Sequence, residues 1–198
     1  SKVAPARFPL WPANECYSAA VSRGIMAAGQ AIASERRLDE DGGAPRAASI
    51  DADLHAAVAL HRAGRLAEAA PIYLSVLRAA PDRFDALHLL GVLRQQEGRS
   101  TEAAELIGAA LAQRPDDPVA LTNRSAALNA LRRFDEAVAS CDKALAVKPD
   151  HVEALNNRGL ALKEMGRAHE ALTSCDRALR LKPDYADAQN NRGLALQA

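Results

Sequence analysis

The sequence predicts an all-α fold, a solenoid built from antiparallel helix pairs that repeat every 34 residues. The first observation is a row of prolines at this spacing, Pro81, Pro115, Pro149 and Pro183. The second is that small residues and leucines recur with the same period, and the third is that apolar residues within each period follow helical spacing. The predicted complete repeats are 50–83, 84–117, 118–151 and 152–185, and a partial repeat covers 186–198.

Residues 1–49 precede the repeats and form an N-terminal extension. Apolar residues on one face predict a helix over 14–38, and glycines, a proline and charges predict a flexible linker over 39–49. Two interpretations stay open. The extension is either a loosely ordered tail or a helix that packs as a cap on the first repeat or on a neighbouring molecule.

Each repeat is predicted to fold as two helices joined by a tight turn. We count repeat positions so that the proline falls at position 32, where it stops the second helix. Small residues at positions 8, 20 and 27 allow the two helix backbones to approach closely. Position 15 is glycine in three repeats and Arg132 in the third. Glycine there permits a positive φ at the end of the first helix. An aspartate follows each proline, where it is expected to cap the next helix or to complement its dipole.

The 34-residue pattern resembles the tetratricopeptide repeat. The fourth repeat carries this resemblance in the segment ALNNRGLALKEMGRAHEALTSCDRALRLKPD. The resemblance covers 50–198, although no repeat has the expected aromatic residue at position 4 and Tyr73 is the only aromatic residue at position 24. It implies a right-handed superhelix in which positions 2, 5, 6, 9, 12 and 13 of the first helices face a concave groove.

A row of groove asparagines is the main candidate site. Asn123, Asn157 and Asn191 share position 6, so we expect a ladder with one amide per repeat. An amide offers two donors and an acceptor, which suits it to the backbone of an extended peptide. In this respect the chain is similar to the repeat arm of O-linked N-acetylglucosamine transferases, but asparagine is common here in the family, so a structural role stays open. The other candidate peptide-binding residues are Asn156, Asn190, Thr122, His88, Asn129, Lys163 and Gln95.

The predicted function is a protein–protein interaction module whose groove binds an extended or helical peptide of a partner protein. One alternative is the substrate-recruiting arm of a larger glycosyltransferase, with its catalytic domain beyond this chain. Another is a scaffold that self-associates through its C-terminal end, where Leu194 and Leu196 are apolar. Receptors for acidic chaperone tails are a poor match, because position 5 lacks their lysine and position 2 is mostly acidic.

Composition excludes other classes of partner. Lys plus Arg and Asp plus Glu number 25 each, so no net positive charge favours nucleic acid or an anionic membrane. No run of 18 apolar residues predicts membrane insertion, and we expect a cytoplasmic protein. Cys141 and Cys175 share position 24 in neighbouring repeats and are expected to be buried hydrophobic residues in a reducing compartment, too far apart for a disulfide.

No active site, metal site or cofactor is predicted. The sequence has no phosphate loop, dinucleotide fingerprint, serine nucleophile elbow or HExxH motif. His55, His61 and His88 fall on the groove side of the first two repeats, but no cysteine or carboxylate cluster completes a zinc spacing. We therefore expect surface imidazoles.

A repeated charge pair predicts ion pairs between neighbouring repeats. An arginine at position 7 follows an aspartate at position 25 of the preceding repeat in two places, Arg158 with Asp142 and Arg192 with Asp176. Arg124 also occupies position 7, but its partner position holds Gly108. We expect these pairs to have a structural role.

Overall fold

A computed structural model describes residues 47–197 of the chain. The described residues form nine α-helices, namely α1 (Ala47–Arg62), α2 (Leu66–Ala79), α3 (Phe84–Gln96), α4 (Ser100–Ala110), α5 (Pro118–Ala130), α6 (Phe134–Val147), α7 (Val152–Glu164), α8 (Ala168–Leu181) and α9 (Ala186–Ala195). The predicted helix over 14–38 lies outside the described residues. Helix α1 begins at Ala47, three residues before the predicted start of the first repeat at 50, because Ala47 and Ala48 favour helix.

The helices stack as pairs. Each odd-numbered helix, which we call a first helix, packs against the even-numbered second helix that follows it in the chain, and each second helix also packs against the next first helix. Neighbouring first helices contact one another as well, most extensively from α5 to α9. This arrangement confirms the predicted all-α solenoid of helix pairs.

Small residues let the two helices of a pair approach closely, as predicted. A Cβ atom added to Gly91 would lie 2.6 Å from Ile107 Cγ1, and one added to Gly159 would lie 2.5 Å from Cys175 Sγ. Ile107 and Cys175 occupy position 24 and are fully buried. The glycine of the first helix therefore makes room for the core side chain of the second, which also explains why the cysteines behave as small hydrophobic residues.

The turn inside each pair confirms the prediction for position 15. Gly64, Gly98 and Gly166 have φ angles of +75°, +78° and +75°, and Arg132 has a φ angle of 58°. The third repeat thus places an arginine in the left-handed region that costs a non-glycine residue free energy. The Arg132 guanidinium lies 5.3 Å from the centre of the Phe134 ring, a cation–π contact within the same turn.

The expected capping by aspartates is wrong in its position. The residues at the N-caps of α3, α5, α7 and α9 follow the predicted aspartates by one, and of these four only Asp117 caps with its side chain. Asp117 Oδ1 accepts hydrogen bonds from the backbone N–H groups of Val119 and Ala120. The predicted aspartates stand just outside the helices, one residue too early to take the N-cap geometry.

Candidate functional site

The predicted groove positions lie along the first helices, which stand side by side in the solenoid. The helix period places positions 2, 5, 6, 9, 12 and 13 on one side of each first helix. Position 9 supplies apolar side chains to this face, of which Val58 and Leu160 are half-buried and Leu194 is exposed. The face therefore combines apolar area with the predicted polar rows.

The asparagines at position 6 connect neighbouring first helices. Asn123 Nδ2 lies 2.8 Å from His88 Nε2, and Asn191 Nδ2 donates to Asn156 Oδ1 at 2.9 Å. Each of these contacts joins position 6 of one repeat to position 5 of the repeat before it, 35 residues earlier. We call these contacts the amide rungs.

The middle rung uses the backbone as well as side chains. Asn157 Nδ2 lies 3.3 Å from Thr122 O and 3.1 Å from Ser125 Oγ, both on α5. Ser125 Oγ in turn donates to Thr122 O at 2.7 Å. The structure thus brings the predicted ladder together, but the amide donors bind the solenoid itself, which is the structural role that the sequence left open.

The predicted binding residues differ in how far a partner can reach them. His88, Thr122, Asn156 and Asn191 are buried between neighbouring helices. Asn190 is exposed. The half-buried members are Asn123, Asn157, Asn129, Lys163 and Gln95.

Several amide oxygens on the groove side have no donor among the described residues. Gln95 Oε1 and Asn129 Oδ1, both at position 12, are buried without a hydrogen-bond partner in this part of the chain. Asn129 Nδ2 donates to Asn157 O at 3.0 Å, which fixes the orientation of its amide. The two oxygens at position 12 are shielded from solvent, whereas the Oδ1 atoms of the half-buried Asn123 and Asn157 accept no hydrogen bond from the described residues and can accept one from a ligand.

Two of the three histidines are buried, so the expectation of surface imidazoles is wrong for them. His61 Nδ1 lies 3.3 Å from the Tyr73 hydroxyl, and His61 Nε2 lies 3.2 Å from Gln96 Oε1. Burial lowers the pKa of His61 and lowers the pKa of His88 to about 4. Both side chains are therefore neutral at pH 7, and the described residues contain no group of three or more potential metal ligands.

Carboxylates line one edge of this face and are partly paired. Arg83 contacts both Asp51 and Asp85, and His151 Nδ1 lies 2.9 Å from Glu153 Oε2. The close contact with His151 lowers the pKa of Glu153, which keeps this carboxyl ionised. The edge presents anionic groups to a ligand.

The predicted ion pairs between repeats are confirmed. Arg158 Nε lies 2.6 Å from Asp142 Oδ1, and Arg192 Nε pairs with Asp176. Arg158 Nη1 also donates to Ser174 Oγ on the following second helix. Arg158 thereby reaches between two second helices, on the side of the first helix away from the amide rungs.

A second repeated charge pair escaped the sequence analysis. An arginine at position 16, before each second helix, pairs with the glutamate three residues later in all four complete repeats, namely Arg65 with Glu68, Arg99 with Glu102, Arg133 with Glu136 and Arg167 with Glu170. The recurrence of both residues every 34 positions was the signal that could have revealed it. These pairs are solvent-exposed and contribute little to stability.

No helix in residues 47–197 is long and apolar enough to cross a membrane. Burial raises the pKa of the Cys141 thiol to about 12 and that of Cys175 to about 11. Both thiols stay protonated at pH 7 and are unreactive.

Comparison with known families identifies the repeats. Three family models described as tetratricopeptide repeat match residues 60–127, 119–151 and 152–185. Together the matches span most of the described chain. Residues 60–185 are therefore tetratricopeptide repeats, and the chain is a tetratricopeptide-repeat solenoid. No curated protein matches the chain significantly.

Solved structures share the same fold. The first repeat domain of Spaghetti (RPAP3), bound to the HSP90 peptide SRMEEVD, is 28% identical with a TM-score of 0.54, over 56% of this chain and 88% of that chain. The repeat domain of Arabidopsis OM64 is 24% identical with a TM-score of 0.54, over 56% and 92%. The MamA protein is 20% identical with a TM-score of 0.67, over 75% and 81%.

Proposed function

We propose that this chain is a protein–protein interaction module whose groove binds an extended or helical segment of a partner protein. The observation that carries the proposal is the row of oriented amide acceptors on the side-by-side first helices of a tetratricopeptide-repeat solenoid. A peptide bound there would donate N–H groups to Asn123 Oδ1 and Asn157 Oδ1, because the N–H groups of these two half-buried amides are held by the preceding first helices. Each such hydrogen bond contributes about 0.5–1.5 kcal/mol.

Apolar side chains on the same face supply the second part of the binding energy. Leu160 lies on α7 about one turn after Asn157 of the middle rung and is only half-buried in the free solenoid. A partner side chain that covered it would gain roughly 25 cal/mol for each Å² of apolar surface removed from water. Amide acceptors and apolar patches together suit an extended backbone with alternating side chains.

The charge of the groove distinguishes this module from its relative that binds a chaperone peptide. The peptide SRMEEVD bound by the RPAP3 domain carries three acidic residues and a terminal carboxylate. In this chain position 2 is acidic in four of five repeats and position 5 has no lysine. We therefore infer a neutral or basic partner segment, since an acidic tail would be repelled.

Peptide selection tests the proposal. Peptides displayed on phage are selected against the chain, and their affinities are measured by fluorescence anisotropy for the wild type, Leu160→Lys and Val147→Lys. Val147 is exposed on α6, a second helix outside the groove, and serves as the matched control. We expect Leu160→Lys to weaken the selected peptides about tenfold or more and Val147→Lys to leave them unchanged.

One outcome of the same measurement would contradict the proposal. Selected peptides that bind Leu160→Lys as tightly as wild type, with both proteins equally helical by circular dichroism, would place binding elsewhere. SRMEEVD is the charge control, and tight binding of this acidic peptide would contradict the inferred partner chemistry.

The similarity to the repeat arm of a glycosyltransferase rested on a ladder of amides that hold a substrate backbone. Three of those amides donate hydrogen bonds within the solenoid. Only the oxygens of these amides would be left to hold a substrate. Any peptide with backbone N–H groups would bind those oxygens equally well. We therefore favour the general interaction module.

A further inference from the structure

An arginine at position 7 recurs in the last three repeats, and two of these arginines pair with a carboxylate on the preceding second helix. In the fourth and fifth repeats the guanidinium Nε donates to a carboxylate on the preceding second helix. That carboxylate belongs to Asp142 or Asp176, at position 25. The solenoid thus contains two copies of a complete guanidinium–carboxylate site.

The third repeat contains the same site without its carboxylate. Arg124 Nε is buried and has no hydrogen-bond partner among the described residues, because position 25 of the preceding helix is Gly108. Its Nη1 lies 3.4 Å from Ser140 Oγ, at the limit of a hydrogen bond. Its Nη2 lies 3.9 Å from Glu136, whose carboxylate already accepts two shorter hydrogen bonds from Arg133. The guanidinium therefore lacks a close anionic partner of its own.

The space for a carboxylate exists beside this arginine. A Cβ atom added to Gly108 would meet nothing within 4 Å except Arg124 Nε itself, at 3.4 Å. The Arg124 side chain is 31% exposed although its Nε is buried, so a group from outside approaches the guanidinium from its terminal nitrogens. Guanidinium groups are weakly hydrated and bind carboxylates through two parallel hydrogen bonds, which makes such a position favourable for an acidic group.

The neighbouring glutamate does not prevent a second carboxylate from binding. In the fourth repeat, Arg158 pairs with Asp142 while Glu170 stands at the position equivalent to Glu136 and feels the charge of the same arginine. Glu170, like Glu136, is held by its own arginine partner three residues earlier. The chain itself shows that one guanidinium of this kind accommodates both acids.

We propose that Gly108, Arg124 and Ser140 form a docking site, the Arg124 notch, for the carboxylate of an aspartate or glutamate side chain on a partner protein. The notch opens between the second helices α4 and α6, on the side away from the amide rungs. It is therefore a second interaction site, independent of the groove. The docked carboxylate supplies the anionic partner that Asp142 supplies to Arg158 in the next repeat.

Nuclear magnetic resonance of the arginine Nε–H groups tests the notch directly. The ¹⁵N-labelled chain is titrated with N-acetyl-aspartate amide, with acetate and with chloride at constant ionic strength. The Arg124 signal is assigned by its loss in Arg124→Gln. We expect a saturable shift of this signal with both carboxylates, several times larger than with chloride, while the Arg158 signal stays in place.

Gly108→Asp is the decisive variant, because it supplies an internal carboxylate as in the other two sites. We expect its Arg124 signal to move to the bound position without ligand and to stop responding to either carboxylate. Gly108→Ala controls for the added Cβ, and its Arg124 signal should not move to the bound position without ligand. Equal shifts with chloride, a response to acetate but not to the blocked aspartate, or an unchanged titration in Gly108→Asp would each overturn the proposal.

Discussion

Asparagine at position 6 joins neighbouring first helices in this solenoid. Its Nδ2 group spans the gap to position 5 of the preceding repeat, whatever residue stands there, be it His88, the backbone of Thr122 or Asn156. The same amide keeps an oxygen that can accept a hydrogen bond from a ligand. A single side chain can therefore set the packing of the groove and contribute to its chemistry.

Replacing the middle rung should lower stability. Asn157→Ala removes the two donor contacts to α5, and we expect the free energy of unfolding to fall by about 1–2 kcal/mol. Asn190→Ala, at an exposed position of α9, should change it by less than about 0.5 kcal/mol. Urea unfolding of both variants checks this. Equal stability of the two variants would mean that the rung contributes nothing to stability.

Replacing the glycine at position 8 by alanine is expected to change stability in opposite directions in two repeats. Gly159→Ala would drive a Cβ atom against Cys175 Sγ, so we expect a loss of about 1–3 kcal/mol. Gly193→Ala meets nothing within 4 Å and should gain up to about 1 kcal/mol from helix propensity. Thermal unfolding compares them. Recovery of part of the loss when Cys175→Ala is added to Gly159→Ala would confirm the steric cause, and a stable Gly159→Ala single variant would contradict it.

The burial of His88 predicts a pH dependence of stability. Its pKa is about 4 in the folded chain, against an ordinary value of about 6.5 when unfolded. Between these values the unfolded state binds more protons, so stability is complete above about pH 6.5 and declines as the pH falls toward 4. The contribution amounts to at most about 3 kcal/mol.

His88→Gln should remove this part of the decline, since glutamine does not titrate. The measurement is the free energy of unfolding from pH 7 to pH 4 for wild type, His88→Gln and the exposed control His55→Gln. His55→Gln is expected to keep the wild-type slope. If His88→Gln keeps it too, His88 is not the group responsible.

At the scale of the helix pair, the turn decides how the second helix returns along the first. Position 15 takes a positive φ in every complete repeat, by glycine in three of them and by Arg132 in the third. The paired arginine and glutamate that follow recur in all four turns but remain exposed. Backbone conformation, more than surface charge, therefore determines the shape of the pair.

A glycine substitution in the turn tests this conclusion. Gly98→Ala forces a side chain into a φ of +78°, and we expect a loss of about 1 kcal/mol although nothing lies within 4 Å of the added Cβ. Thr101→Ala, on the exposed first turn of α4, serves as the control and should stay within about 0.5 kcal/mol. Chemical denaturation compares the two, and equal midpoints would show that the turn tolerates a side chain.

At the scale of the whole molecule, stability is a sum of contacts between neighbours. Helix α3 is buried at ten of its thirteen positions, since it contacts α1, α2, α4 and α5. Helix α9 packs mainly against α7 and α8, and Leu194 on this helix and Leu196 just after it are exposed. A solenoid with such a gradient opens from its less covered parts.

Native-state hydrogen exchange should reveal this gradient in the 198-residue chain. We expect the amides of α3 to exchange only through global unfolding and those of α9 to exchange through local opening, with protection rising from α9 toward α3. Exchange is followed by mass spectrometry after pepsin digestion. Equal protection of α3 and α9 would indicate that the solenoid unfolds as one cooperative unit.

The 34-residue period was sufficient to predict the helix pairs, the buried small residues and the ion pairs of Arg158 and Arg192. These features depend on local geometry, because helix spacing, proline stops and glycine turns act within a few residues of the chain. The capping aspartates were misplaced by one residue, since the boundary of a helix depends on a balance of hydrogen bonds that composition does not resolve.

By itself the sequence determined the fold, its period and the residues that meet between helices of a pair. Only the tertiary structure decided which groove residues remain open to a partner. In sequence, His88, Thr122 and Asn157 look equivalent, because each is a polar residue on the groove face of a first helix. In the structure the close approach of neighbouring first helices buries His88 and Thr122, and the Asn157 amide donates its hydrogen bonds within the solenoid. This close approach arises from packing across repeats, between residues 35 positions apart, and no local pattern encodes it.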